Sequence, residues 1–160
     1  MNSTILDTYN IGGLAKIWLI PSHLIASIHN SPPSSDYILP TGWDELAWEF
    51  TPIFQSASFT EELKTAEGGN YYDSSVSFKL AKITTLTRDI LKQISSVPMA
   101  ILFLTQNGQY MLVGNQDYPM RLQASSKSGA DISDLNHVAL TYTGKNPDPT
   151  LYCADPFKFL

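Results

Sequence analysis

A single cysteine, Cys153, occurs in 160 residues. One thiol excludes an internal disulfide and any zinc site built from several cysteines. Charge is scarce as well: Lys, Arg, Asp and Glu make up 16% of the chain, against about 25% in an ordinary globular protein. The charge that is present leans acidic, to a net −5, which argues against a nucleic-acid binder driven by phosphate contacts. Long apolar runs are missing. The longest, Pro98 to Leu104, is strand-sized and far from the ~18 residues of a membrane helix. Residues 1–7 carry neither a basic start nor an apolar run before a small-residue cleavage site. These absences together predict a soluble protein folded in a reducing compartment.

Hydroxyl residues fill the space that charge leaves. There are 17 Ser and 13 Thr, beside 43% hydrophobic and 11% aromatic residues. A disordered chain would carry more charge and fewer aromatics, and a coiled coil would be rich in Ala, Glu, Lys and Leu. Low charge with many Ser, Thr, Tyr and Phe suits β-sheets with one wet, uncharged face. The length fits one domain over 1–160 with enough apolar residues for its own core.

Along the chain, residues 1–13 are polar and end in Gly12-Gly13, which reads as a flexible arm. Ala15 to Ile20 predicts a strand stopped by Pro21, and Leu24 to Ile28 a short, weakly strand-like run. Residues 30–41, Pro/Ser-rich with three prolines among turn formers, predict a loop. The middle reads as a long-armed hairpin. Its first arm runs from Phe50 to Glu62, it turns at Gly68-Gly69-Asn70, and it returns through Tyr72, Val76, Phe78 and Leu80. Asp73, Ser75, Ser77 and Lys79 occupy the other parity, giving a period of two and hence one buried and one wet face.

One helix is visible at about residues 85–95. Thr84 or Thr85 can cap it, Leu86, Ile90, Leu91 and Ile94 form one apolar stripe, and Pro98 follows its end. Asn107-Gly108 between the runs 99–105 and 110–113 is a strong hairpin signal. Alternating segments at 120–124 and 138–142, and a closing edge at 151–154, complete seven to nine strands. Strands without β-α alternation predict a mainly β fold, an antiparallel sandwich or barrel with one flanking helix.

The chemistry-bearing residues converge nowhere. His23, His29 and His137 lack paired spacing for a metal. Ser126-Lys127-Ser128-Gly129 matches neither a nucleophile elbow nor a Ser-x-x-Lys motif. Gly12-Gly13 precedes a strand, whereas a phosphate-binding loop follows one. Glu61 and Glu62 are neighbours and point to opposite faces of a strand, while Asp44-Glu45 and Asp131 with Asp134 read as solvated turns. No catalytic residue, metal or cofactor is expected, and the reading is non-enzymatic. An enzyme built on Cys153 and His137 is the weakest alternative. Aromatics concentrate in one third of the chain, and Trp43, Trp48, Phe54, Phe59, Tyr71 and Tyr72 form a candidate assembly surface.

Three stretches in order carry a resemblance. The first joins Phe50-Thr51-Pro52-Ile53-Phe54 and Ser58-Phe59-Thr60-Glu61-Glu62 to Tyr71-Tyr72-Asp73-Ser74-Ser75-Val76-Ser77-Phe78. The second joins Gly108-Gln109-Tyr110-Met111-Leu112-Val113-Gly114 to Tyr118-Pro119-Met120-Arg121-Leu122. The third is Asp134-Leu135-Asn136-His137-Val138-Ala139-Leu140-Thr141-Tyr142-Thr143-Gly144. Over about residues 50–145 the series resembles small tail-structural proteins encoded by prophages of gut Bacteroidetes. The resemblance implies a phage tail-tube-like fold and a virion structural protein whose subunits form hexameric rings. It also implies assembly in the bacterial host cytoplasm, a place in the virion tail, and partners that are copies of itself and other tail proteins. Sequence-specific nucleic-acid binding and membrane binding are not expected, and an acidic chain suits a tube that must not grip DNA. The alternative is a small intracellular β-barrel binding an apolar or sugar ligand against Trp43, Trp48 and nearby tyrosines, with Asp44, Glu45 and Glu49 as polar partners.

Overall fold

A computed structural model describes residues 12–26, 37–127 and 136–158, with the backbone alone described at 125–127. The arm up to residue 11, residues 30–36 of the proline-rich loop, His29 and the Asp131–Asp134 stretch lie outside the described residues.

Nine strands among those residues make two sheets. The first contains β1 (Leu14–Pro21), β2 (Trp48–Phe50), β5 (Met99–Thr105), β6 (Tyr110–Val113) and β9 (Leu151–Cys153), in the order β2-β1-β5-β6-β9. The second contains β3 (Ser58–Ala66), β4 (Gly69–Ala81), β7 (Arg121–Lys127) and β8 (His137–Asn146), in the order β3-β4-β8-β7. Every ladder between them is antiparallel. The chain crosses between sheets after β2, β4, β6 and β8, and the helix α1 (Thr85–Ile94) lies in the β4-to-β5 crossing. This is a β-sandwich with one flanking helix, as the patterning predicts.

The main core fills the space between the sheets. Ile17 and Leu19 of β1, Ile101 and Phe103 of β5, Val76 and Phe78 of β4, and Leu140 and Tyr142 of β8 meet there, all buried. The same parity that hides Val76 and Phe78 leaves Ser75, Ser77 and Lys79 on the outside. β1 and β5 are buried on both faces, because the first sheet carries a second apolar layer on its other side. Trp18, Ile20, Ala100 and Leu102 pack there under Ile25, Trp43 and Cys153. A continuous apolar strand such as 99–105 is what a doubly covered strand requires.

Three expectations change. The first arm of the hairpin begins at Ser58, while Phe50 belongs to β2 in the other sheet and pairs with Ile17. Between them a turn interrupts the period: the Ser56 amide and hydroxyl both donate to the Ile53 carbonyl, and Gln55 takes φ 59°. The reversal is the two-residue turn Glu67-Gly68 closed by Ala66 and Gly69, and it is Gly69 that supplies the positive φ, at 119°. Leu24 ends a 3₁₀ turn, Ser22–Leu24, so the strand-like reading of that run fails where it is described. Trp43–Leu46 forms a further 3₁₀ turn entered through Gly42 at φ 79°.

The helix starts where expected, and three of its four stripe residues, Ile90, Leu91 and Ile94, face the core. Thr84 caps it, its hydroxyl accepting from the Thr87 amide at 3.1 Å. Ile94 is buried in the main core, and Ile90 and Leu91 pack against that core. Leu86, at the first turn, stays 70% exposed.

Candidate functional site

The six aromatics read as one surface are dispersed by the fold. Trp43 is 3% exposed. Its ring stands edge-on to Trp18 at 6.5 Å and packs on Phe157 at 5.9 Å, so it is core and not surface. Trp48 and Phe59 are half-buried against the main core, and Phe59 stacks on Phe103 at 4.9 Å. Phe54 is 79% exposed, on the turn that precedes β3. Tyr71 lies on the outer face of the second sheet, with the Lys145 ammonium 5.3 Å from its ring centre. Tyr72, one residue on, takes the opposite face and pairs with Leu63. The fold therefore brings Tyr72 beside the edge strand β3 but gives no continuous aromatic patch.

The ligand-binding alternative draws on two tryptophans, of which Trp43 is buried and Trp48 half-buried. Its acid Glu49 is also engaged: one carboxylate oxygen accepts from Lys16 at 2.9 Å and the other from the Trp18 indole at 3.1 Å. These contacts, Lys16 first, hold the Glu49 carboxyl below its ordinary pKa. Cys153 is buried in the second apolar layer. His137 pairs in register with Ala81 and Lys127 at the far end of β8. Among the described residues no group of His, Cys, Asp and Glu could hold a metal ion, and no helix is long and apolar enough to cross a membrane.

The most distinctive surface is the outer face of the second sheet. Register places Ser58 beside Ser77 and Thr60 beside Ser75, then Ser77 beside Thr141 and Ser75 beside Thr143. Gln123 of β7 continues the row from Thr141. Ser77 and Thr141 share a hydrogen bond at 3.2 Å. Six hydroxyl side chains thus occupy adjacent positions on three neighbouring strands, with no ionisable side chain among them. Charge borders the patch: Arg121 of β7 lies beside Thr143, Lys79 follows Ser77 on β4, and toward the β3–β4 hairpin Lys64 bridges Asp73 at 2.9 Å and Glu62 at 3.7 Å.

The second feature is the strand edge itself. β3 is the outermost strand of its sheet, nine residues long, with no described strand on its free side. Leu63 is 58% exposed at its middle. Glu61 points inward, where its Oε2 accepts from the Thr150 amide at 2.9 Å, the Thr150 hydroxyl and the Ser74 hydroxyl at 3.3 Å. A carboxylate at an inward position breaks the hydrophobic alternation, so the sequence pattern hides both its burial and its partner across 89 residues. The third feature is a groove of about 330 Å³ between α1 and the sandwich, lined by Phe50, Leu80, Leu86, Ile90 and their neighbours.

Comparison with protein-family models, with curated proteins and with solved structures finds no match to the chain.

Proposed function

We propose that the chain is a structural subunit of a phage tail, of tail-tube type, that works by assembling with copies of itself into rings. The observation that supports this reading is the uncharged hydroxyl face formed by Ser58, Thr60, Ser75, Ser77, Thr141 and Thr143. Covering a charged face strips water from ions at a cost of several kcal/mol per unpaired charge. Covering hydroxyls costs far less, because each can re-form a hydrogen bond with whatever covers it. An extended face of this kind in a chain with a net charge of −5 stays soluble as a monomer yet accepts a neighbour. The free edge of β3 adds backbone groups that a second chain can pair with.

On this reading the work is mechanical, and the partners are the same chain and other tail proteins, met in the host cytoplasm and kept in the virion tail. Light scattering over a hundredfold concentration range, with negative-stain electron microscopy of the concentrated protein, tests it. Rings or stacked rings are expected. A strict monomer at the highest concentration, alone and with the products of neighbouring genes, overturns it.

A further inference from the structure

The free edge of β3 has a defined hydrogen-bonding parity. Ala66 and Gly69 flank a two-residue turn, so they form a hydrogen-bonded pair. By alternation Ser58, Thr60, Glu62 and Lys64 also turn their amides and carbonyls toward β4. The amide of Lys79, of the same β4 parity as Gly69, donates to Ser56, and its carbonyl accepts from Ile53, both on the β3 side. The odd-numbered residues Phe59, Glu61, Leu63 and Thr65 therefore present their backbone groups to the open edge. That edge is competent for a further antiparallel strand.

Side-chain order favours one register, the one that sets opposite charges face to face. Suppose a second copy of β3 lies antiparallel across a two-fold axis. An axis at Glu61 or Glu62 sets two carboxylates opposite each other, and an axis at Lys64 sets two ammoniums opposite each other. Like charges directly opposed destabilise a sheet. An axis at Leu63 sets Glu62 against Lys64 of the copy, and Lys64 against Glu62 of the copy. The Glu62–Lys64 positions are then non-hydrogen-bonded pairs, the closer kind, with Cα atoms about 4.5 Å apart. Leu63 meets its own copy in a hydrogen-bonded pair. On the same face Leu63 already lies beside Tyr72, so the axis creates an apolar row Tyr72–Leu63–Leu63–Tyr72. The turn of the copy ends at Glu67 opposite Phe59, short of the 51–57 turn.

We propose that β3 is a self-complementary edge, and that two copies of this chain join through it in one register, with the dyad on Leu63, to form a continuous eight-stranded sheet. Lys64 and Glu62, which would repel most incoming strands, become the pair that admits this one. The contact is isologous and closes on itself. It goes beyond the ring reading and does not depend on it.

Two cysteine variants of the full chain fix the register. In the proposed pairing the Cα atoms of residue 63 and its copy stand about 5.5 Å apart, within disulfide reach. Those of residue 65 stand ~13 Å apart, four residues out of step. Under mild oxidation Leu63→Cys is expected to become a covalent dimer, with Thr65→Cys at least tenfold slower; buried Cys153 is common to both. Leu63→Pro removes an amide that faces the open edge and none that faces β4, so it should fold but lose the dimer. A monomeric parent protein, equal cross-linking at 63 and 65, or a folded Leu63→Pro that dimerises as the parent does, overturns the proposal. Rings that persist in Leu63→Pro would overturn this pairing in the assembly while leaving the ring reading intact.

Discussion

The indole of Trp18 donates to the Glu49 carboxylate at 3.1 Å, directly across the β1–β2 ladder. The same carboxylate takes Lys16 on its other oxygen. A three-residue edge strand is thus tied to the double-faced strand beside it by one side chain. The aromatic layer of Trp18, Trp43, Tyr110 and Phe157 packs around the indole that it orients.

Glu49→Gln tests that tie. The folded carboxyl titrates below its ordinary value, chiefly through the Lys16 hydrogen bond. A depressed acid contributes stability above the unfolded pKa and loses it as pH falls through the folded one. The side chains are nearly half exposed, so the contribution is held to about 0.5 kcal/mol. Melting temperatures of parent and variant should differ by roughly 1–2 °C at pH 7 and converge as the pH falls through the lowered pKa of the folded carboxyl.

Tyr142 offers a change of opposite sign. It is fully buried, and its hydroxyl has no hydrogen-bond partner among the described residues. Burial raises the phenol pKa well above its usual value. Tyr142→Phe removes an unsatisfied polar group and should gain about 1 kcal/mol at pH 7. Above about pH 10 the unfolded tyrosine ionises while the folded one resists. The parent then loses stability with rising pH, and the advantage of the variant should widen by up to ~1.4 kcal/mol per pH unit. Urea denaturation at pH 8 and pH 11 reads the difference.

Two glycines fix the crossing at Met120. A Cβ on Gly114 would meet the Met99 carbonyl at 3.0 Å, and its φ is +88°. A Cβ on Gly144 would meet the Met120 sulfur at 2.5 Å and the Pro119 carbonyl at 3.2 Å, at an ordinary φ. Thioether sulfur can move and backbone cannot, so Gly114→Ala should cost more, about 2–3 kcal/mol against about 1–2 for Gly144→Ala. Thermal melts should rank the two in that order.

The sandwich was legible where one residue's neighbours decide its fate. Val76 and Phe78 alternate with Ser75 and Ser77, Asn107-Gly108 reverses the chain at Gly108 (φ 82°), and Thr84 caps the helix. Each signal is local. The misreadings that bear on the candidate site are long-range. Trp48–Phe50 is too short for any period and is a strand only because β1 lies beside it. Trp43 follows a proline-rich stretch that forms no regular core, yet Gly42 turns it inward onto Trp18, 25 positions away in sequence. Glu61 interrupts the apolar parity of β3 because its partner, Thr150, comes from the far end of the chain. The hydroxyl surplus was visible in composition, but its gathering on one face needed the register of three strands.

That face carries the last prediction. Ser75 lies beside Thr143 and Thr141 beside Ser77, so Ser75 and Thr141 are diagonal neighbours across the β4–β8 ladder, both partly exposed on the hydroxyl face. Lysine at both positions puts two like charges where a covering neighbour would have to desolvate them, a penalty of several kcal/mol per unpaired ion. The folded monomer should barely notice, since a solvated outward position tolerates such exchanges within about 0.5 kcal/mol each. Ser75→Lys with Thr141→Lys is therefore expected to abolish assembly beyond the β3-paired dimer while the melting temperature stays within roughly 3 °C of the parent. Sedimentation velocity separates the two levels of association. Rings that survive both lysines would move the assembly contact off this face and remove the observation on which the tail-tube reading stands.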